Sequence, residues 1–166
     1  MKSKKAFLAS EFTPATADAA AFHVIPVPME LSVSYGAGAR LGPQAIIDAS
    51  QQLEVCDGEG HAGTANIHTQ KPIVLRSRKP EVWIDAVEAR VAEAIACRAV
   101  PVVLGGEHTV TLGAARAFRK TGAKIGFIHF DAHADLRDAY EGTRFSHACV
   151  MRRVHELGFP CLQIAT

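Results

Sequence analysis

Long hydrophobic runs are absent from this chain of 166 residues. A transmembrane helix needs about 20 consecutive apolar residues, and no stretch approaches that length. Three lysines lie within residues 1–10, but the apolar run beside them covers only residues 6–9. That run is too short for the core of a signal peptide. The sequence therefore predicts a protein that neither spans a membrane nor carries a secretory signal.

An excess of one charge is absent as well. Lys and Arg together number 18 and Asp and Glu 17, which gives a formal net charge of +1 at pH 7. Binding to nucleic acid or to an anionic membrane depends on a strong positive potential, so the composition favours neither partner. Apolar residues make up 48% of the chain and charged residues 21%, which is typical of a globular domain that buries a real core.

Paired cysteine spacings are the third absence. Cys56, Cys97, Cys149 and Cys161 form no zinc-ribbon or disulfide pattern, and Cys97 and Cys149 fall in predicted helices. We interpret all four as reduced thiols, which is typical of a cytoplasmic protein. The chain also contains no internal repeat and no low-complexity tract.

Strand and helix patterns alternate along most of the chain, and this predicts an α/β fold. Residues 1–21 are polar and alanine-rich and are expected to form an N-terminal arm, with residues 22–166 as the domain. The alternation predicts a mainly parallel sheet with helices on both faces. The predicted strands cover residues 22–27, 73–75, 100–104, 125–130 and 161–164, and the predicted helices cover residues 43–54, 80–97, 109–120 and 146–157.

The stretch at residues 123–135 carries the strongest chemical signal. An apolar run with aromatic and β-branched members ends in Asp131, His133 and Asp135, each two residues from the next. In an extended segment this spacing turns the three side chains to one side. The carboxyl end of a buried strand is where open α/β sheets place their chemistry. Two carboxylates and an imidazole there favour a divalent cation, although solvated turn residues after a strand remain the alternative.

A second strand end strengthens the metal interpretation. Residues 101–104 are apolar and are followed by Gly105, Gly106, Glu107 and His108, so this strand also ends by presenting an imidazole. Two strand ends that supply ligands together are more specific than one short motif. The ligand set contains no sulfur, which argues against a structural zinc site and suits a hard or borderline divalent cation.

These two motifs, G-G-E-H at 105–108 and H-F-D-A-H-A-D at 129–135, resemble the metal signatures of the ureohydrolase (arginase/agmatinase) family. The resemblance extends over residues 22–164. The upstream stretch V-S-Y-G-A-G-A-R-L-G-P-Q-A-I is most similar to the agmatinase branch. The resemblance implies a three-layer, arginase-like α/β sandwich and a cytoplasmic hydrolase with two manganese ions. That enzyme would release urea from a guanidino compound, and members of the family are usually homo-oligomers.

The resemblance also implies a role for each matching residue. His108, Asp131 and Asp135 would bind one manganese ion, and Asp131 would bridge to a second ion that His133 also binds. Asp135 would hold a hydroxide that bridges the two metals and acts as the nucleophile. His147 matches the histidine that relays a proton near the substrate, and an ordinary histidine in the first turn of a helix is the alternative.

The remaining histidines have weaker signals. His129 precedes the motif on the same strand and is expected to support a metal ligand rather than bind metal itself. His61 and His68 lie in a polar, irregular stretch, where histidines are usually not ligands. His23 and His155 are interpreted as ordinary structural or surface histidines.

The sequence departs from the family pattern near its end. The family carries a later motif, Ser-x-Asp-x-Asp-x-x-Asp-Pro, and a still later glutamate that holds the guanidinium, and neither is present. The family's Gln-Ile strand continues into Gly-Ile-Arg, whereas this chain reads Gln163, Ile164, Ala165 and Thr166. We therefore expect a fold that is incomplete at its C-terminal side.

Two functional hypotheses follow. The first is a manganese-dependent enzyme that hydrolyses agmatine to putrescine and urea, with guanidinobutyrate, other guanidino acids and arginine as open alternatives for the substrate. The second is a truncated, inactive ureohydrolase-like domain that binds metal or associates with a partner.

Overall fold

The structure of the chain is a computed structural model that describes residues 6–54 and 66–165. Its strands and helices, in chain order, are β1 (Phe22–Val27), α1 (Gly42–Ala49), β2 (Ile67–Thr69), α2 (Pro80–Ala96), β3 (Val100–Gly105), α3 (Thr111–Thr121), β4 (Phe127–Phe130), α4 (Val150–Glu156) and β5 (Cys161–Ile164). Short 3-10 turns precede α1, α3 and α4 and follow α1. No helix among the described residues is long and apolar enough to cross a bilayer.

All named strands pair in parallel, in two separate sheets. The first sheet has the order β2-β1-β3, and β1 aligns residue by residue with β3 from Phe22 opposite Val100 to Val27 opposite Gly105. The second sheet pairs β4 with β5, with Phe127 opposite Cys161. The predicted parallel arrangement is confirmed, because helices connect strands that run in the same direction.

Helices cover both faces of the first sheet. Ile25 and Val27 of β1 pack into a buried cluster with Trp83 of α2. Pro26 lies between them and so faces the opposite side, where it lines a small cavity with Ile47 of α1. This layering agrees with the predicted α/β sandwich. Both helices begin at or next to a proline, which is tolerated there because the first helical N–H groups lack an intrahelical partner.

A second buried cluster packs α3 and α4 against the second sheet. Leu112 of α3 and Val154 of α4 pack with Phe159, and Phe127 of β4 lies against them. Gly122 ends α3 in the left-handed conformation at φ 71°, as is typical of a glycine C-cap. The two clusters hold the ends of β3 and β4 on the same side of the molecule.

One predicted strand is wrong. Residues 73–75 form no strand, and the short β2 lies instead at Ile67–Thr69, next to β1. Ile73 is nevertheless buried, and its N–H donates to the Pro26 carbonyl at 3.0 Å. Pro72 has no N–H to donate and so interrupts any ladder at this point. The apolar pattern at 73–75 therefore arises from packing against the core and not from pairing in a sheet.

The N-terminal residues that the structure describes contact the domain at several points. The Phe7 N–H donates to Thr69 Oγ1 at 3.0 Å, and the Leu8 N–H donates to Ser50 Oγ at 2.9 Å. The Ala15 N–H donates to the Ile67 carbonyl at 2.9 Å. Residues 7–15 therefore run over α1 and the edge strand β2.

The outer face of the second sheet is apolar and exposed. Residues on this face alternate with inward-facing ones, and they pair across the sheet in register: Ile128 with Leu162, and Phe130 with Ile164. Phe130 is 73% exposed and Ile128 65% exposed. Contiguous apolar patches of this kind are typical of surfaces that associate with another polypeptide.

We expect residues 1–166, expressed by themselves, to self-associate through this face. Sedimentation velocity at several protein concentrations should show species larger than the monomer, and the double substitution Ile128→Thr with Leu162→Thr should shift them toward the monomer. The control is Val74→Thr, since Val74 is 76% exposed but lies outside the sheet. A parent chain that remains monomeric at every concentration would contradict this prediction.

Candidate metal centre

The end of β3 is held by a close backbone contact with the segment after β1. The Gly106 N–H donates to the Val27 carbonyl at 3.0 Å, and the Glu107 N–H donates to the Met29 carbonyl at 2.9 Å. A Cβ on Gly106 would lie 1.9 Å from the Met29 carbonyl oxygen, so only glycine fits here. This contact turns the chain out of the sheet and places His108 at the start of a short 3-10 turn.

The end of β4 makes a turn rather than an extended run. The Asp131 N–H donates to the Ile164 carbonyl at 3.2 Å, and Asp131 Oδ1 accepts the His133 N–H at 2.9 Å. Asp135 has φ 51°, in the left-handed region that non-glycine residues seldom occupy. Its carbonyl accepts N–H groups from Met151 and Arg152, so the first turn of α4 fixes it. The predicted extended geometry for residues 131–135 is therefore wrong.

Four side chains from the two strand ends converge within a few ångströms. One potential ligand atom from each of His108, His129, Asp131 and Asp135 lies within 4.8 Å of all the others. His108 Nε2 is 3.5 Å from Asp135 Oδ2 and 4.0 Å from Asp131 Oδ2. The strand ends thus bring together three of the residues that the sequence predicted as ligands, and they add His129.

His129 lies inside the cluster with its proton position fixed by Gln163. The Gln163 Nε2 amide donates to the Ala134 carbonyl at 2.7 Å and lies 3.0 Å from His129 Nδ1. Because a carbonyl only accepts, the Gln163 nitrogen must face this side, and its second N–H donates to His129 Nδ1. The neutral His129 ring then carries its proton on Nε2, which lies 3.0 Å from His108 Nε2. The opposite nitrogen of His108 lies 3.0 Å from Thr111 Oγ1.

Burial and neighbouring charges shift the pKa values of three side chains in the cluster. Burial lowers the pKa of His108 below its ordinary value, against the opposing effect of Asp135. Burial likewise raises the pKa of the Asp135 carboxyl. Burial also acts to raise the pKa of Asp131, but the His133 N–H and the neighbouring imidazoles outweigh it, so that pKa is lowered. A neutral imidazole beside an ionised carboxylate is the form in which both groups bind a metal.

His133 and His147 lie at the rim of the cluster. The His133 side chain is 82% exposed, with Nδ1 3.5 Å from Asp131 Oδ1, and it does not belong to the group of four. His147 begins the 3-10 turn before α4, where Ser146 occupies the N-cap position. The Ser146 hydroxyl makes no capping bond to the backbone and lies instead 3.2 Å from Cys149 Sγ.

An open cavity of about 910 Å³ connects these groups. The residues that line it include Ser34, His108, Asp131, Asp135, Tyr140 and His147. The His147 ring meets Tyr140 edge to face at 5.5 Å between centroids, and its Nε2 is 3.0 Å from Ser34 Oγ. The strand-end cluster and the predicted proton-relay histidine thus share one solvent-accessible space.

The donor atoms suit a hard or borderline divalent cation. The cluster offers carboxylate oxygen and imidazole nitrogen, and no cysteine among the described residues belongs to it. This donor set fits manganese better than a thiolate-bound structural zinc. The residues present therefore fit the metal that the sequence resemblance implies, and two carboxylates beside buried imidazoles would gain from a compensating positive charge.

Several residues around the cavity carry no signal in the sequence. Ser32, Ser34 and Tyr140 reach the site from two irregular segments, and none of the three belongs to either metal motif. Gln163 looked like an ordinary strand residue. Ser34 lies in the stretch that is similar to the agmatinase branch and Glu107 lies in the G-G-E-H motif, but neither motif alone gave its residue a role.

Parallel strands sandwiched by helices, with a His/Asp cluster at the strand ends, define an α/β protein with a candidate divalent-metal centre. The family model that matches is the arginase family, over residues 20–164, and the chain belongs to that family.

Two relatives show how far the similarity extends. The N(1)-aminopropylagmatine ureohydrolase of Synechocystis is 41% identical over 97% of this chain and 55% of its own length. The crystal structure of agmatine ureohydrolase of Thermoplasma volcanium is 30% identical, with a TM-score of 0.77 over 95% of this chain and 52% of that one.

The crystal structure of Trypanosoma cruzi formiminoglutamase with Mn2+ is 25% identical, with a TM-score of 0.80 over 92% of this chain and 53% of that one. The chain thus has the arginase-like fold and spans about half the length of the relatives that it matches.

Proposed function

We propose that this chain carries the metal-binding part of a manganese-dependent ureohydrolase that converts agmatine to putrescine and urea. The observation that carries the proposal is the convergence of His108, Asp131 and Asp135 at two strand ends, in the same cavity as His147. Membership of the arginase family and the names of the similar ureohydrolases support it.

The proposed metal ligands are His108, Asp131, Asp135 and His133. His129 would support these ligands by donating a hydrogen bond and would not bind the metal itself. When bound, two divalent ions would lower the pKa of water and supply a nucleophile at neutral pH. His133 lies beside Asp131 and is free to turn toward it, because its side chain is largely exposed. The formiminoglutamase structure with Mn2+ supports the choice of metal.

The protein's own groups have separate tasks in the proposed reaction. Asp135 is nearly buried and held by α4, so its carboxylate would accept a hydrogen bond from the attacking water and orient it. Water adds to the guanidinium carbon, the bond from that carbon to the substituted nitrogen breaks, and urea leaves. His147 would deliver the proton that the leaving amine requires.

The names of the relatives widen the substrate question. Agmatine and its N(1)-aminopropyl derivative both present a guanidinium group on a chain that carries a second cationic end. A guanidinium cation is attracted to a cavity lined by Asp131 and Asp135. We propose agmatine first, with N(1)-aminopropylagmatine as the competitor to assay beside it.

The test of this function replaces the matching segment of the Thermoplasma volcanium agmatine ureohydrolase with residues 20–164. We expect manganese-dependent release of urea from agmatine, abolished by Asp131→Ala and retained in Asp85→Ala, whose carboxylate lies on α2 outside the cavity. A graft that folds and binds manganese but releases no urea from either substrate would overturn the proposed function.

A second candidate function is metal binding without turnover. It is favoured by the open cavity and by a cluster that offers only two carboxylates among the described residues. For residues 1–166 assayed by themselves, we expect manganese binding without urea release above background. The later aspartate motif and the glutamate that the family resemblance calls for are not in this sequence, and positioned groups of this kind supply much of the rate through electrostatic stabilisation. Robust release by the parent and none by His133→Ala would exclude this candidate.

We also propose a cytoplasmic location and a homo-oligomeric assembly. The free thiols of Cys97, Cys149 and Cys161 support the first, since they suit a reducing compartment. The family resemblance is the only support for the second. Cys56 lies outside the described residues.

A further inference from the structure

Glu107 is a buried carboxylate that lies next to the metal cluster without belonging to it. Its side chain points away from His108 toward the segment after β1 and accepts four hydrogen bonds. Oε2 accepts the N–H groups of Leu31 at 2.5 Å and Ser32 at 2.7 Å. Oε1 accepts the hydroxyls of Ser32 at 2.7 Å and Thr109 at 2.6 Å. Glu107 is 4% exposed, so water does not compete for these bonds.

The carboxylate decides the direction of the next hydrogen bond. A carboxylate only accepts hydrogen bonds, so the Ser32 hydroxyl must donate its single proton to Glu107. Ser32 Oγ can then only accept from its other neighbours. These are the His147 backbone N–H at 3.2 Å and the His147 ring nitrogen Nδ1, also at 3.2 Å.

The same reasoning fixes the His147 ring. If Ser32 Oγ can only accept, the neutral imidazole carries its proton on Nδ1 and leaves a lone pair on Nε2. Nε2 faces the cavity, 3.0 Å from Ser34 Oγ, which in turn lies 3.1 Å from the Tyr140 hydroxyl. Hydroxyls both donate and accept, so these two residues adapt to the ring and do not set its tautomer.

The geometry points to Glu107 as a positioning residue that acts through Ser32 to hold His147 in the Nδ1–H tautomer, with Nε2 as the proton-exchanging atom in the cavity. The tautomer itself is independent of any activity, whereas its value to the reaction rests on the proposed function of His147. In that reaction Nε2 would take up a proton and give it to the leaving amine, while the Ser32 oxygen holds the ring in place.

The test is the substitution Glu107→Gln, which keeps the shape and reverses the two hydrogen bonds with the hydroxyls of Ser32 and Thr109. The two backbone N–H groups require the amide oxygen on their side, so the amide NH2 must face the hydroxyls of Ser32 and Thr109. Ser32 Oγ then accepts from the amide and directs its own proton toward His147 Nδ1. The tautomer should invert, with the proton moving from Nδ1 to Nε2.

Histidine-labelled residues 1–166, studied by 15N NMR at a pH where the rings are neutral, give the readout. In the parent we expect a pyrrole-type Nδ1 and a pyridine-type Nε2 for His147, and in Glu107→Gln the reverse. Ser34→Ala is the matched control, because it removes the partner of Nε2 and should leave the parent tautomer unchanged.

A second variant covers the case in which Glu107→Gln does not fold. Ser32→Ala removes the one hydrogen-bond acceptor that Nδ1 has among the residues that the structure describes, so the parent tautomer should no longer dominate. A parent ring protonated on Nε2, or a parent tautomer that persists in either folded variant, would overturn the inference. Urea release plays no part in this readout, so a failed agmatine assay alongside an inverted tautomer would contradict the proposed function alone.

Discussion

Gly106→Ala is expected to lower the free energy of unfolding by about 3 kcal/mol, the upper part of the range for overpacked sites. The added Cβ would lie 1.9 Å from the carbonyl oxygen of Met29 and 2.8 Å from its nitrogen. Both are backbone atoms, so no side-chain rotation can relieve the clash. The segment after β1 must move away, and the hydrogen bond that the Glu107 N–H donates to the Met29 carbonyl is lost.

The effect should reach the metal cluster, because His108 is two residues from the clash. Urea unfolding followed by circular dichroism measures the loss of stability, and manganese titration of the folded fraction measures the displacement of His108. Gly42→Ala is the matched control. Its Cβ would lie 3.5 Å from the nearest atom, at the helical φ of −53°, so we expect little change or a gain of up to about 1 kcal/mol. Equal stabilities for the two variants would contradict the clash.

Most of the fold could be predicted because its core elements carry strong local patterns. The helix α2 shows apolar residues at helical spacing, and Ile84, Val87 and Val91 are indeed buried. The predictions failed where the local pattern and the tertiary contacts disagree. The strand β2 is polar and half-buried, so only its pairing with β1 makes it a strand.

Some features of the candidate site could likewise be predicted from the sequence, and others could not. His108 and Asp131 could be predicted to belong to one site, because both follow the carboxyl ends of buried strands, where open α/β folds place their chemistry. The left-handed φ of Asp135 could not, since it depends on hydrogen bonds from α4. The contact between Ser32 and His147 joins residues 115 positions apart, so no local pattern could reveal it.

Asp131→Ala is expected to weaken manganese binding at least about 100-fold, since loss of even an outer partner of a metal ligand typically costs 10–100-fold in affinity. Asp131 occupies the centre of the cluster. Its Oδ2 lies 3.4 Å from His129 Nε2 and 4.0 Å from His108 Nε2, while its Oδ1 faces His133. Removing it leaves Asp135 as the single carboxylate among the four clustered side chains, so a dication loses half of its compensating charge.

The measurement is a calorimetric titration of residues 1–166 with manganese(II) at neutral pH, with the electron paramagnetic resonance signal of free manganese as a second readout. Asp85→Ala serves as the control, because Asp85 lies on α2, pairs with Arg116 and takes no part in the cluster. It should bind manganese as the parent does. If Asp131→Ala also binds as tightly as the parent while its circular dichroism spectrum is unchanged, the ions occupy some other part of the chain and the strand-end centre is wrong.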